Sequence, residues 1–220
     1  MTSLIIGASG GIGSALVAEL TARGEAVTCL SRRDNCFDVT SESSVKTALA
    51  ALEPPYDTII VATGALELDG IGPEKSLRTL DPQTLAAQFA LNAVGPMLVL
   101  KHVLRLMPRD RPARFAALSA RVGSIGDNRL GGWYSYRAAK AALNQLLHTA
   151  AIEIARSHPQ AVVVALHPGT VATALTATYG ANHPRTKPQT AAQNLLNVLD
   201  SLKPEQSGQF FDWQGQAVPW

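Results

Sequence analysis

Two tyrosines and a lysine share the stretch GGWYSYRAAKAAL, residues 131 to 143, at spacings that could move a proton. Tyr136 and Lys140 are four apart, so on a helix they share a face, one turn from each other. A free phenol has a pKa near ~10, too high for easy proton exchange at neutral pH. A nearby ammonium favours the phenolate and draws that pKa down. A tyrosine tuned in this way can donate or take the proton that carbonyl reduction or alcohol oxidation requires. Tyr134 has only Ala138 at i+4, so Tyr136 is the candidate. Taken alone, the pair could equally be an aromatic helix start followed by a solvated lysine.

A second chemical stretch is LIIGASGGIGSALVAEL, which begins as a strand and ends as an amphipathic helix. Gly7 permits the sharp turn, Gly11 lets the backbone approach a diphosphate, and Gly13 lets helix and strand pack closely. Ser9 and Ile12 complete the turn, whose free N–H groups can hold phosphate at the helix N-terminus. Its place at the first strand-to-helix junction points to a dinucleotide. The second strand then ends CLSRRD, with Ser31 where NAD-preferring proteins place an acid and with Arg32 and Arg33 following. A hydroxyl and guanidinium groups accept a 2′-phosphate that a carboxylate would repel, which favours NADP. Two surface arginines after a strand would read the same way.

These residues need a frame. Short apolar runs (SLIIGA, AVTCLS, DTIIVATG, RFAALSA, AVVVALHPG) alternate with helical stretches, including residues 82 to 107 and about 136 to 156. Runs of this length and apolarity fit parallel strands covered on both faces by helices, a doubly wound α/β sheet of Rossmann type. The 220 residues, 46% apolar and 16% charged with a net charge of +2, suit a single domain spanning 1–220. The arginines are scattered; Arg105, Arg109, Arg111 and Arg114 read as a solvated helix end and loop, so no nucleic-acid partner is expected. Cys29 and Cys36 fit no CxxC pattern and are expected as free thiols; the five histidines show no metal-ligand spacing. Apolar stretches are interrupted by Lys101, Gly or Pro, and no basic leader precedes the first strand, so a cytoplasmic protein with no membrane span is expected. Residues 170 to 190 are polar and proline-broken, a loop whose segment from about 174 to 190, with Leu175, Tyr179 and His183, is expected to cover the site.

The spacing GxxxGxG in GASGGIG, together with the YxxxK of Tyr136 and Lys140, resembles the short-chain dehydrogenase/reductase superfamily. The stretch RVGSIGDNRLGGWYSYRAAKAALNQ is most similar to its C-factor-like and sniffer-like carbonyl reductase branch. The resemblance runs from Ser3 to about Thr173, with a last strand near Gly208 to Trp213. By the family's count VATG ends the fourth strand, Tyr136 opens the helix after the fifth, and HPGTVATAL follows the sixth. It implies a relay-water role for Asn92, where a structural role at a helix irregularity near Gly95 and Pro96 is compatible. It implies adenine contact by Asp38 and Val39, close approach of the cofactor at Gly64, and a nicotinamide site lined by Pro168, Gly169, Val171 and Thr173. It also implies binding of the nicotinamide ribose by Lys140, and a homodimer or homotetramer packed through the long helices carrying Asn92 and Tyr136.

Departures from the pattern are Ile6 before the first glycine, Val61 to Gly64 in place of NNAG, and Ala120 where the family's catalytic serine belongs. Losing that donor uncompensated costs ~10²–10³ in rate. Ser119 is the chosen replacement, with Ser124 as second candidate. The leading reading is an NADP-dependent carbonyl reductase or alcohol dehydrogenase acting on a small molecule. Ala120 keeps open a non-catalytic NADP-binding signalling or redox-sensing protein; a Rossmann methyltransferase accounts for neither Tyr136 and Lys140 nor Arg32.

Overall fold

The apolar runs pair into one parallel sheet in a computed structural model that describes residues 1–53, 55–177, 179 and 184–220. Its strands are β1 (Thr2–Ile6), β2 (Ala26–Leu30), β3 (Thr58–Val61), β4 (Ala113–Leu118), β5 (Ala161–His167) and β6 (Phe210–Asp212). They lie in the order β2-β1-β3-β4-β5-β6. The helices are α1 (Gly11–Ala22), α2 (Arg32–Asn35), α3 (Glu42–Ala50), α4 (Pro82–Phe89), α5 (Gly95–Val103), α6 (Tyr134–Ile154), α7 (Ala174–Ala177) and α8 (Pro188–Ser201).

Alternation along the strands splits the core in two. Leu4, Ile6, Val61, Phe115, Ala117 and Val163 pack with Val45 and Leu49 of α3, Val99 and Val103 of α5, and Leu143 and Leu147 of α6. Ile5, Ile60, Ala116, Val164 and Leu166 pack on the other face with Leu16 and Leu20 of α1 and Leu195 and Leu199 of α8. Burial on both faces is why the central strands read as unbroken apolar runs, whereas the edge strand β2 is only partly covered.

The family count of strands needs one correction. VATG, RFAALSA and HPGTVATAL follow or end the third, fourth and fifth strands here. No strand forms at Phe37 to Val39, because the Phe37 N–H donates back to Ser31 O (3.2 Å) and the Phe37 and Val39 side chains turn into the core.

Residues 82 to 106 form one helical run, long and apolar enough by composition to cross a membrane. Here it is a core helix, with Ala93, Val99, Leu100, Val103 and Leu106 buried. It is interrupted by a π-helical turn, Ala90–Val94, of the kind that recurs at functional sites. The arginines expected as a solvated set are staples in part: Arg105 donates to Leu49 O, and Arg111 pairs with Asp57 at 2.9 Å. Cys29 and Cys36 are free and exposed.

Candidate active site

The strand order reverses at β1, whose neighbours β2 and β3 are reached by connections on opposite faces; this is where open α/β sheets hold ligands. Beyond the carboxyl ends of the central strands lies a cavity of about 570 Å³. Ile12, Gly64, Ser119, Tyr136 and Lys140 line it, as do Pro168, Gly169, Val171 and Thr173. Val171 is held by a parallel bridge to Thr186, and Leu175 of α7 and Tyr179 also face the cavity, while His183 lies outside the described residues.

The glycine turn forms one edge. Gly7 has φ +85°, and its N–H donates to Leu30 O at 2.7 Å. A Cβ on Gly13 would lie 2.1 Å from Gly7 O, so helix and turn are in direct backbone contact. A Cβ on Gly11 would lie 2.6 Å from Thr173 Cγ2, which places the segment after β5 across the turn. Helix α1 carries no side-chain cap and no acid in its first turn. Ser9, half-buried in the same turn, leaves this edge without a negative group. These features fit a dinucleotide diphosphate.

Tyr136 and Lys140 form the floor, 7% and 2% exposed. Lys140 Nζ donates to Leu118 O at 2.9 Å and lies 5.7 Å from the centroid of the Tyr136 ring. Burial draws the lysine down to about 7. Burial also raises the Tyr136 hydroxyl above its ordinary value, the reverse of the expected lowering. The physical reason is mutual: desolvation drives the lysine towards neutrality, so in the chain alone it offers little charge to offset desolvation of the phenol.

Asn92 sits fully buried in the π-helical turn. Its Nδ2 donates to Gln88 Oε1 (2.6 Å) and Ala65 O (3.0 Å), and its Oδ1 accepts the Ala65 N–H (3.3 Å). A Cβ on Gly64 would lie 2.9 Å from Asn92 Oδ1 and 3.4 Å from Lys140 Nζ, so the glycine marks where these two groups meet.

Both candidate serines have their hydroxyls engaged by neighbouring groups. Ser119 Oγ donates to Asn144 Oδ1 at 2.7 Å, because the pleat turns it beside Ala117 towards α6. Ser124 Oγ accepts the Asp127 N–H at 3.1 Å and is 1% exposed. Ala120 lines the cavity where the hydroxyl was expected.

The adenosine side also differs from expectation. Ser31 caps α2, accepting the Asp34 N–H at 3.0 Å and donating to Asp34 Oδ2 at 2.7 Å. Arg33 pairs with Asp34 at 3.0 Å, whereas Arg32 has no ion pair among the described residues. Bonds from the Thr40 side chain and backbone N–H hold the Asp38 carboxyl below its ordinary value. Val39 is a core residue, 4% exposed, with its side chain packed against Gly95.

Sequence reasoning missed several residues around the floor. Trp133 lines the cavity, edge-on to Tyr136 (6.4 Å between centroids) and Tyr179 (6.0 Å). Arg137 donates to Gly132 O and Val122 O, tying together the two loops that flank the opening. His167, in the quoted HPG segment, also lines the cavity; burial first and then Arg121 push it down to about 4, against Asp212. It is neutral at physiological pH.

Fold and site together define a dinucleotide-binding oxidoreductase framework. The family model for short chain dehydrogenases matches residues 35–184, and the chain belongs to that family. It is 32% identical, over its whole length and 99% of the relative's, to 1-hydroxy-2-glutathionyl-2-methyl-3-butene dehydrogenase of Rhodococcus sp. (strain AD45). It is 36% identical to the C-signal protein of Myxococcus xanthus across 66% of this chain and 84% of that one. Among solved structures, a short-chain dehydrogenase/reductase of Burkholderia multivorans with bound NADP superposes with a TM-score of 0.81 at 25% identity, covering 100% of this chain and 99% of the other.

Proposed function

We propose that this protein is an NADP-dependent reductase or dehydrogenase that interconverts a small carbonyl compound and its alcohol, with Tyr136 as general acid and base. The observation that carries the reading is the pairing of Tyr136 with Lys140 on the floor of a cavity that the glycine turn edges. When bound, the nicotinamide supplies or receives hydride and, oxidised, carries positive charge. In the reducing direction the Tyr136 hydroxyl gives its proton to the substrate oxygen. Lys140, held at Leu118 O, passes the replacement proton and in its ammonium form stabilises the phenolate. Lys140 also binds the nicotinamide ribose. Asn92 spends both Nδ2 hydrogens on Gln88 and Ala65 but keeps acceptor capacity on Oδ1 for a relay water.

Gly7, Ser9, Gly11, Ile12 and Gly13 hold the diphosphate, with Arg32 the guanidinium available to a 2′-phosphate. Ser119 acts on helix α6 through Asn144, so the carbonyl is oriented by Tyr136 against an apolar wall that includes Leu175. The bound NADP of the Burkholderia structure and the hydroxyl-substrate name of the Rhodococcus relative support this reading. Ala120 is the one feature that suits a non-catalytic NADP-binding role, and the Lys140 anchor argues against it. A cytoplasmic location and assembly through the helical run that carries Asn92 and through α6 belong to the same proposal.

The test is NADPH consumption with aldehydes, diketones and cyclic ketones by wild type and Tyr136→Phe, after titration with NADPH and NADH. Turnover by wild type that falls by ~10³ or more in Tyr136→Phe supports the reading. Tight NADPH binding without turnover on any compound favours the non-catalytic role, and tighter NADH binding would overturn the assignment of Arg32.

A further inference from the structure

Helix α6 starts without a cap of its own. Its N-cap residue is Trp133, left-handed at φ 52°, with no side-chain oxygen for the first amides. One of them, the Ser135 N–H, is met from 61 residues away. Glu74, on the connection between β3 and α4, is 6% exposed. Its Oε2 accepts the Ser135 N–H at 3.2 Å, its Oε1 accepts the Ser135 hydroxyl, and its backbone carbonyl accepts the Trp133 N–H at 2.5 Å. The next residue along the helix is Tyr136.

We propose that Glu74 is a positioning residue for Tyr136, a remote cap that fixes the first turn of α6 and with it the direction of the phenol. The proposal rests on the reading of Tyr136 as acid and base. A serine or aspartate at 133 would cap the helix locally, but position 133 is occupied by a cavity wall, the indole standing edge-on to the Tyr136 ring. Wall and cap are therefore supplied by different segments. A buried carboxylate is costly unless hydrogen-bonded, and Glu74 uses both oxygens on one residue. Its negative charge also lies at the positive end of the helix dipole. Losing it frees the turn that aims the phenol, and misplacement of a reacting group by about 1 Å costs on the order of 10² in rate.

Two measurements on the full-length protein test this. The first is amide hydrogen exchange. The Ser135 N–H is in the first turn and has no helical acceptor, so Glu74→Ala is expected to speed its exchange at least tenfold while amides in the middle of α6 hold. The second is turnover with the panel compound that wild type reduces fastest. Glu74→Ala and Ser135→Ala are each expected to lower kcat about 10- to 100-fold, with NADPH affinity and the number of binding sites within about twofold of wild type. The double variant should match Glu74→Ala, because the hydroxyl bond that Ser135→Ala removes is one of the two that Glu74→Ala removes. Glu74→Gln, which keeps an acceptor, should recover part of kcat. Unchanged Ser135 exchange, an unchanged kcat, or a kcat loss matched by lost NADPH sites would each overturn the proposal. Tyr136→Phe in the same assay separates the two ideas: retained activity there sinks the reading of Tyr136, whereas its collapse beside an active Glu74→Ala sinks only Glu74.

Discussion

At Lys140, burial and hydrogen bonding pull in different directions. The ammonium keeps one bond, to Leu118 O, and loses its water. Its ordinary value of 10.5 falls to about 7, so between those pH values the unfolded chain binds more protons than the folded one, and stability rises with pH across that window. Lys140→Met should therefore stabilise the cofactor-free protein by about 2 kcal/mol at pH 6 and by little at pH 10, read from thermal melts at both. A pH-independent difference in Tm would contradict the assignment. The identity of this pair was legible because i, i+4 spacing is local. The shift of the phenol was not, since desolvation comes from the strands and loops that close over Tyr136. The same holds for Ser119, whose partner Asn144 is chosen by the pleat of β4 against α6.

The glycine turn is the element most fully written in the sequence, because each glycine answers a local backbone demand. A glycine inside the turn and one outside it, beyond the end of α1, can be compared by substitution. Gly13→Ala puts a methyl 2.1 Å from Gly7 O, so turn and helix must part. It should weaken NADPH binding at least tenfold by fluorescence titration and cost ~1–3 kcal/mol in stability. Gly24→Ala has open space but φ +80°, and should cost about 1 kcal/mol while leaving NADPH affinity unchanged. Equal loss of affinity in both would detach the turn from cofactor binding. The segment after β2 was less legible: Ser31, Arg32 and Arg33 stand out in the sequence, but that α2 brings Asp34 back onto Ser31 and Arg33 does not. Glu74 and Ser135 left no signal at all, being joined only by the path of a long connection.

The whole molecule places both stretches at one end of the sheet. β1 ends in the glycine turn, β3 ends near Gly64, and β4 runs into Ser119 and Ala120, so residues more than a hundred apart converge on one cavity. Strand-helix alternation was enough to anticipate this architecture, because strands buried on both faces have a distinctive apolar pattern. The five apolar runs and the last strand near Gly208 to Trp213 are the six strands observed, and only the numbering carried over from the family ran one too high. On the outer face, Val94, Leu146 and Ile152 remain exposed along the helices expected to pair two copies. Ile152→Glu should then sediment as a smaller species than wild type, and equal sedimentation would move the interface elsewhere. The most direct measurement of the central claim is transfer of deuterium from NADPH labelled at C4 of the nicotinamide, on the face that reacts, to a panel carbonyl. Deuterium on the carbinol carbon of the product alcohol is the predicted result; NADPH oxidised with no label in any organic product would contradict a hydride-transfer enzyme.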